Sequence, residues 1–441
     1  MKTAIVVGSG AGGATVAKEL QGAFDVTVLE AGRPYRRCEL DRRSIARLAR
    51  SRLLVDPRLL RVAYPAMRVG RTADMLVVHG SGTGGTTTVA TGNGIRADDD
   101  LRALGIDLDE EFAQIAAEIP VSVEHRRRWH PTTRRLFAAA EDLGLAPQPT
   151  PKMGRAEGCH HCGRCVLGCP YGIKWDARRS LDVAVAHGAR VRTGTRVDRV
   201  VTEGGRAVGV LTTGPMSRRS LRADLVVLAA GGLGTPAILE RSGVRCEPTL
   251  SVDPVLTVAA RVPSAWQCNE IEMPFVVRRD RYILSPYFDW LSFALDPRWR
   301  YPPQDIVGVM VKIADEGGGR VEERRVRTHL TSVDRLRLEE GAALARELLA
   351  GTGVDPESTF EGILNGGHPG GTLPLTHATA LTLHDERLPE NLYVADATLF
   401  PRSLGLPPIL TIVALATRVA RAAANACLPA HDLKSASEIG V

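Results

Sequence analysis

The first twenty residues, MKTAIVVGSGAGGATVAKEL, leave this chain few folds to choose from. Ile5, Val6 and Val7 are β-branched and apolar on both faces, as a central strand of a parallel sheet requires. Gly8-x-Gly10-x-x-Gly13 follows directly and opens a helix over about 12–20, with Val16 and Leu20 at four-residue spacing. DVTVLEAG reads as a second strand ending in Glu30, which completes a βαβ unit. The spacing assigns each glycine a task. Gly8 permits the tight turn, Gly10 lets a pyrophosphate approach the backbone, and Gly13 lets the helix pack close to the strand. The helix N-terminus beside Ala11, a candidate cofactor residue, offers unpaired N–H groups to phosphate, and Glu30 can accept hydrogen bonds from a ribose diol. These residues predict a bound dinucleotide.

The rest of the chain is organised around that unit. Its 441 residues are 44% apolar and 24% charged, a globular balance that excludes disordered, collagen-like and coiled-coil classes. The most apolar stretch, 404–426, carries Arg418 and Arg421 and reads as a packed helix rather than a membrane span. The N-terminus lacks the pattern of a secretory signal, so the expected location is cytoplasmic. The net charge of +6 is spread along the chain, with short clusters such as Arg126, Arg127 and Arg128. That argues against nucleic acid and for a solvated surface or the steering of an anionic partner. Residues 98–157 look mostly helical, with one helix capped at Thr132 or Thr133 and ending at Gly144. Residues 246–326 show the short alternating runs of an antiparallel sheet. Helices are expected over Ser332–Ala350 and 404–426, with a strand in ENLYVADATLFPRS between them.

Two further glycine-rich segments favour an enclosed flavin over a nicotinamide cofactor. HGSGTGGTTTVATGNGIR can lie along a pyrophosphate or a flavin ring, and LVVLAAGGLGTP repeats the strand-to-glycine approach. Four segments, in order, resemble the glucose–methanol–choline (GMC) flavoprotein oxidoreductases. They are VVGSGAGGATVAKEL with VTVLEAG, GTGGTTTVATGNGIR, AAGGLGTPAILERSG, and GGHPGGT with ENLYVADATLFPRSLGLPPILTIVALATRVA. The resemblance implies FAD, alcohol oxidation and a fold of the p-hydroxybenzoate-hydroxylase type. That is an α/β Rossmann-like FAD-binding domain with an α+β second domain built on an antiparallel sheet. It divides the chain into 1–245 and 371–441 for FAD, with a helical insertion at 98–157 and a cysteine cluster at 158–175, and 246–370 for substrate. It also implies Gly84, Gly85, Thr86, Asn93, Val197, Gly231, Asp396 and Pro408 as cofactor residues. Two positions depart from the family. Ala90 stands where an Asn is usual, with Asn93 three residues later. Pro407 stands where the family has the second His or Asn of its catalytic pair.

Cys159, Cys162, Cys165 and Cys169 lie within eleven residues, whereas Cys38, Cys246, Cys268 and Cys427 are isolated. Disulfides inside so tight a cluster would staple almost nothing, so the cluster points to a metal or redox site in a reducing compartment. The run C-x2-C-x2-C-x3-C-P has bacterial ferredoxin spacing. It predicts an iron–sulfur cluster: a [4Fe–4S] on all four cysteines, or a three-cysteine [3Fe–4S] or [4Fe–4S] with Cys268 or Cys246 in reserve. A zinc knuckle that recruits His160 or His161 is the alternative. CVLGCPYGIKWDA also resembles the cluster-bearing stretch of a GMC subgroup, the catalytic subunits of bacterial FAD-dependent glucose dehydrogenases.

The resemblance makes His368, in NGGHPGGT, the base for a substrate hydroxyl. Asn365 is the candidate to hold the substrate oxygen in place of the missing pair member, or is a turn residue. His377 and His384 are weaker candidates, and Tyr287, Trp290 and Phe293 line a pocket or belong to the core. The leading expectation is an FAD and iron–sulfur dehydrogenase for an alcohol or polyol, delivering electrons to a ferredoxin or cytochrome. The alternatives are a reductase or desaturase for an unsaturated substrate, and a non-catalytic electron-transfer subunit.

Overall fold

The computed structural model describes residues 1–39, 44–47, 60, 64–214, 218–322 and 325–428. The apolar opening strand, Lys2–Val7, sits at the centre of a five-stranded parallel sheet. On one side it pairs with Phe24–Leu29 and then Arg190–Arg192. On the other it pairs with Leu225–Leu228 and then Leu392–Val394. Strands buried on both faces need helices on both faces. Helix Ala11–Glu19 packs against Arg178–Ala186 and against the last helix, Ile409–Cys427. That last helix begins five residues later than the apolar pattern suggests, because a residue that precedes a proline is disfavoured in the α region, which keeps Leu406 and Pro407 out of the helix. By length and composition it could cross a membrane. Its Arg418 pairs with the fully buried Glu111 at 2.5 Å, and most of its apolar face lies in the core under the parallel sheet.

The second sheet is largely antiparallel. Its order is Met67–Arg71, Leu76–Gly80, Asn365–Gly366, Pro254–Arg261, Ile306–Ile313, Tyr282–Pro286, Phe275–Arg278 and Gln148–Pro149. Helices Pro131–Asp142 and Ser332–Ala350 cover one face with a separate apolar core. Ser332–Ala350 starts at a reciprocal cap, with Thr331 Oγ1 accepting from Asp334 N and the Asp334 carboxylate accepting from Thr331 N. Pro131–Asp142 is capped by His130 and not by the threonines that follow it. A three-stranded antiparallel sheet, Arg196–Glu203, Arg206–Thr213 and Arg218–Arg222, flanks the parallel sheet. The expected architecture is therefore present: a Rossmann-like α/β domain and an antiparallel-sheet domain. The second sheet draws three strands, at 67–71, 76–80 and 148–149, from the first part of the chain.

Candidate active site

The glycines of the first turn act through contact. A Cβ on Gly8, whose φ is +102°, would stand 2.2 Å from Ala229 O, and one on Gly13 would stand 2.1 Å from Gly8 O. Gly12, which the spacing argument passes over, is as tight: its Cβ would lie 1.7 Å from Ala395 O, just past the strand Leu392–Val394. Gly10 differs. Its Cβ would have only Gly85 Cα nearby, at 3.9 Å, so its space is left for something other than protein. Gly10 is the N-cap of helix Ala11–Glu19, and no side chain caps the helix. The first N–H groups, from Ala11 onwards, therefore lack intrahelical acceptors, which suits a pyrophosphate. Gly84 N donates to Ser9 O at 3.1 Å, so the second glycine segment, with Gly84 and Gly85, is pinned to the first turn.

Glu30 ties this turn together. One carboxylate oxygen accepts from Ser9 N and Oγ and the other from Gly32 N, at 3.2, 2.6 and 2.7 Å. A carboxylate has about four lone-pair sites, so one remains for a ligand. Thr195 N donates to Glu30 O at 2.9 Å, which brings the strand bearing Val197 alongside. Gly231, at φ +78°, opens the helix after Leu225–Leu228. Asp396 accepts from Gly231 N, Thr235 Oγ1 and Thr398 N, so its carboxylate braces that turn, and burial pushes its pKa up.

Thr86, Asn93, Asn365, His368, Pro407 and Pro408 line one cavity of about 200 Å³ together with Tyr287 and Lys312. The predicted residues thus divide into a nucleotide end and a cavity end, joined by 84–93. His368 Nδ1 lies 3.1 Å from Asp253 Oδ2. The same oxygen is 2.9 Å from Lys312 Nζ, and Asp253 Oδ1 accepts from Ser403 Oγ and Gly405 N. Burial opposes ionisation of Asp253, but Lys312, His368 and Ser403 outweigh it and hold the carboxyl well below its usual range. Burial and then Lys312 push the His368 pKa down, against the pull of Asp253. The carboxylate can only accept, so His368 Nδ1 carries the proton and Nε2 keeps a lone pair. Neither Asp253 nor Lys312 is predicted from motifs. Their signal was a single charge inside the apolar runs LSVDPVL and VGVMVKIA.

Asn365 Nδ2 donates to Ile363 O at 3.1 Å. The Asn93 amide is occupied by Met273 Sδ and by Lys152 Nζ. Trp290 lines the cavity, whereas Phe293 packs in the aromatic cluster behind it. His377 is exposed and His384 contacts Pro389 O and the Tyr393 ring; neither lines the cavity.

The four clustered cysteines line a second cavity of about 50 Å³, and Thr91 and Gly92 belong to the walls of both. All four are free thiols, and burial raises the pKa of Cys159, Cys162 and Cys165. Among the described residues no group of three or more His, Cys, Asp and Glu side chains is arranged to hold a metal ion. The donor chemistry nonetheless suits a soft metal. His161 also faces this cavity; its Nδ1 is 2.7 Å from Glu270 and its Nε2 is buried without a partner. His160 stacks on Tyr171. Two buried lysines stand between the cavities. Lys174 Nζ donates to the carbonyls of Thr87, Thr88, Ala90 and Cys165, and Lys152 Nζ donates to Asn93 Oδ1 and Glu272 O.

Comparison with known proteins places this geometry. A family model described as GMC oxidoreductase matches residues 3–255. A GMC-type oxidoreductase of Mycobacterium tuberculosis is 31% identical over 95% of this chain and 75% of its own. A long-chain-alcohol oxidase of Arabidopsis thaliana is 24% identical over 65% of this chain and 50% of its own. The crystal structure of pyridoxine 4-oxidase from Mesorbium loti shares the fold, with a TM-score of 0.68 at 17% identity, covering 96% of this chain and 99% of that one. The chain belongs to the GMC oxidoreductase family and is an FAD-dependent oxidoreductase.

Proposed function

We propose that the protein is a dehydrogenase that oxidises an alcohol or polyol, with electrons leaving through an iron–sulfur cluster at Cys159, Cys162, Cys165 and Cys169 to an external acceptor. The observation that carries this reading is the wall shared by the two cavities at Thr91 and Gly92. It sets a cavity containing an oriented histidine against a cavity containing four thiols. The Gly8–Gly13 turn, Glu30, Gly84–Thr86, Val197, Gly231, Asp396 and Pro408 are the residues proposed to hold or brace FAD. When bound, FAD takes a hydride, and the cluster would carry electrons one at a time.

The protein's own part is the proton. His368 Nε2 takes it from the substrate hydroxyl as the carbon gives up hydride, and Asp253 Oδ2 steadies the imidazolium that forms. Asn365 and Tyr287 line the same cavity and offer hydrogen bonds to the substrate oxygen. The long-chain-alcohol oxidase among the relatives supports an alcohol substrate. Arg128 donates to the carbonyls of Cys159 and Ala156, which puts a basic surface beside the thiols and suits an acidic redox protein such as a ferredoxin or cytochrome. Pro407 offers no second acid or base, and this keeps a reductase or desaturase as the second reading.

The test is anaerobic purification with iron, sulfide and zinc analysis, followed by titration with an alcohol panel. Three or four irons per flavin and alcohol-dependent bleaching of the flavin are expected. Stoichiometric zinc without iron would overturn the electron exit. Enone reduction without alcohol oxidation would overturn the direction.

A further inference from the structure

The cavity that contains His368 offers few groups to hydrogen-bond a ligand. Most of its polar lining is already committed. Asp289 caps its helix through Leu291 N and Ser292 N, Thr86 Oγ1 accepts from Gly80 N, and Thr91 Oγ1 donates to Met273 Sδ. Lys312 is paired with Asp253. Trp290 turns its single N–H away, onto Gly163 O at 2.8 Å, and so shows the cavity only hydrocarbon. Among the described residues, the accessible lining groups without a hydrogen-bond partner are His368 Nε2, Asn365 Oδ1 and the Tyr287 hydroxyl; the Tyr64 hydroxyl and Lys312 Nζ also lack one but are buried out of a ligand's reach. Much of the remaining wall is Val89, Val166, Leu167, Trp290, Leu291 and Ala294. Val89, Leu167 and Trp290 belong to one buried apolar cluster, against which Val166 packs. Val166 and Leu167 stand between Cys165 and Cys169, so the loop carrying the thiols also supplies part of this apolar wall.

We propose that the substrate is a monohydric alcohol with an extended aliphatic body, and not a polyol or sugar. This rests on the alcohol-oxidation reading above and narrows it. A polyol has a hydroxyl on every carbon, and each one buried against this wall would lose its water without gaining a partner. The free polar groups suffice for one reacting hydroxyl. An aliphatic body gains from the same wall, by about fourfold in affinity for each methylene buried.

The experiment uses anaerobic holoenzyme with two readouts. Flavin bleaching reports oxidation, and the shift of the oxidised flavin band on mixing reports binding. The ligands are primary n-alkanols from ethanol to decanol, set against glycerol, sorbitol and glucose. Binding and bleaching efficiency should rise about fourfold per methylene until the chain outgrows the cavity. Polyols should be weaker than alkanols of equal carbon number by about tenfold or more per extra hydroxyl. Leu291→Ser should flatten the chain-length slope, which a merely structural lesion would leave in place. A polyol that binds better than its alkanol, or a flat slope in the unaltered protein, overturns the proposal. Alkanols that bind with the expected slope but leave the flavin oxidised uphold the ligand class and overturn the alcohol-oxidation reading instead.

Discussion

Asp253 joins Lys312 to His368, the proposed base, and replacing the pair singly and together tests that arrangement. Their side chains are 3% and 1% exposed, so solvent screens the pair very little. Lys312→Met removes the cation but leaves Asp253 with hydrogen bonds from His368, Ser403 and Gly405. The loss should sit near the low end for breaking a buried pair, about 3 kcal/mol. Asp253→Asn strands an ammonium that has no other hydrogen-bond partner, and the loss should approach about 5 kcal/mol. The double variant removes both members of the pair, keeps the volume filled and leaves Asp315 with its hydrogen bonds from Ser403 Oγ and the N–H groups of 252 and 253. Its loss should therefore fall short of the sum of the singles by at least about 3 kcal/mol. Urea unfolding of the three variants, followed by far-ultraviolet circular dichroism, measures this. Additive losses would refute the coupling. The pH profile adds a check with a definite sign. His368 accepts a proton only when neutral, so substrate-driven flavin reduction is full above its pKa and falls as pH drops through it. Burial and Lys312 both depress that pKa, and Lys312→Met removes the second influence. The acid limb should move to higher pH; an unmoved limb, or one displaced downwards, contradicts the electrostatic role.

The other tests are shorter. His368→Ala should slow flavin reduction by substrate by about 10²–10⁴-fold, while dithionite-reduced flavin still passes electrons onward at the normal rate in stopped flow. Cys165→Ser should lose the broad iron–sulfur absorption yet retain FAD, because the glycine turn lies in another segment; loss of both would mean that the loop supports the whole site. Gly10→Ala should fold but lose FAD, as its Cβ has room among protein atoms, whereas Gly12→Ala should fail to accumulate as folded protein because of Ala395 O. Oxygen should be a poorer acceptor than a one-electron dye, and equal turnover with both would make the cysteine site structural.

What could be read in the sequence was local and periodic. The βαβ unit, its three spaced glycines and Glu30 are adjacent in sequence, and their geometry is set by neighbours in the chain. Ser332–Ala350 was legible from end to end because its apolar face repeats over the whole helix. Gly12 was not, because its constraint comes from Ala395, hundreds of residues away. The strand at Met67–Arg71 and the cap at His130 were missed for a similar reason: sheet pairing and capping geometry override local preference. Asp253 and Lys312 escaped because a buried ion pair is a relation between two positions, each of which alone resembles an ordinary charge in a strand.

The buried lysines extend that reasoning to the cysteines. Removing an ammonium group from water costs several kcal/mol, and neutral carbonyls offset only part of that. Lys152 and Lys174 are 7% and 9% exposed, and both lie against the thiol cavity. The nearby carboxyl, Glu272, is pushed up by burial to about 8 and leaves one oxygen without a partner, while burial pushes Lys152 down to about 8 and Lys174 down as well. Glu270 and Asp176 supply part of the lysines' counter-charge, and thiolates bound to metal would add to it. This suits the proposed cluster. It also couples the two cavities. Lys174 holds the carbonyls of Thr87, Thr88 and Ala90 on one side and that of Cys165 on the other, so the segment facing the flavin site and the loop carrying the cysteines share one cation. A change of charge on the thiols is then felt, through that ammonium, at the segment that joins the nucleotide end of the site to the cavity of His368.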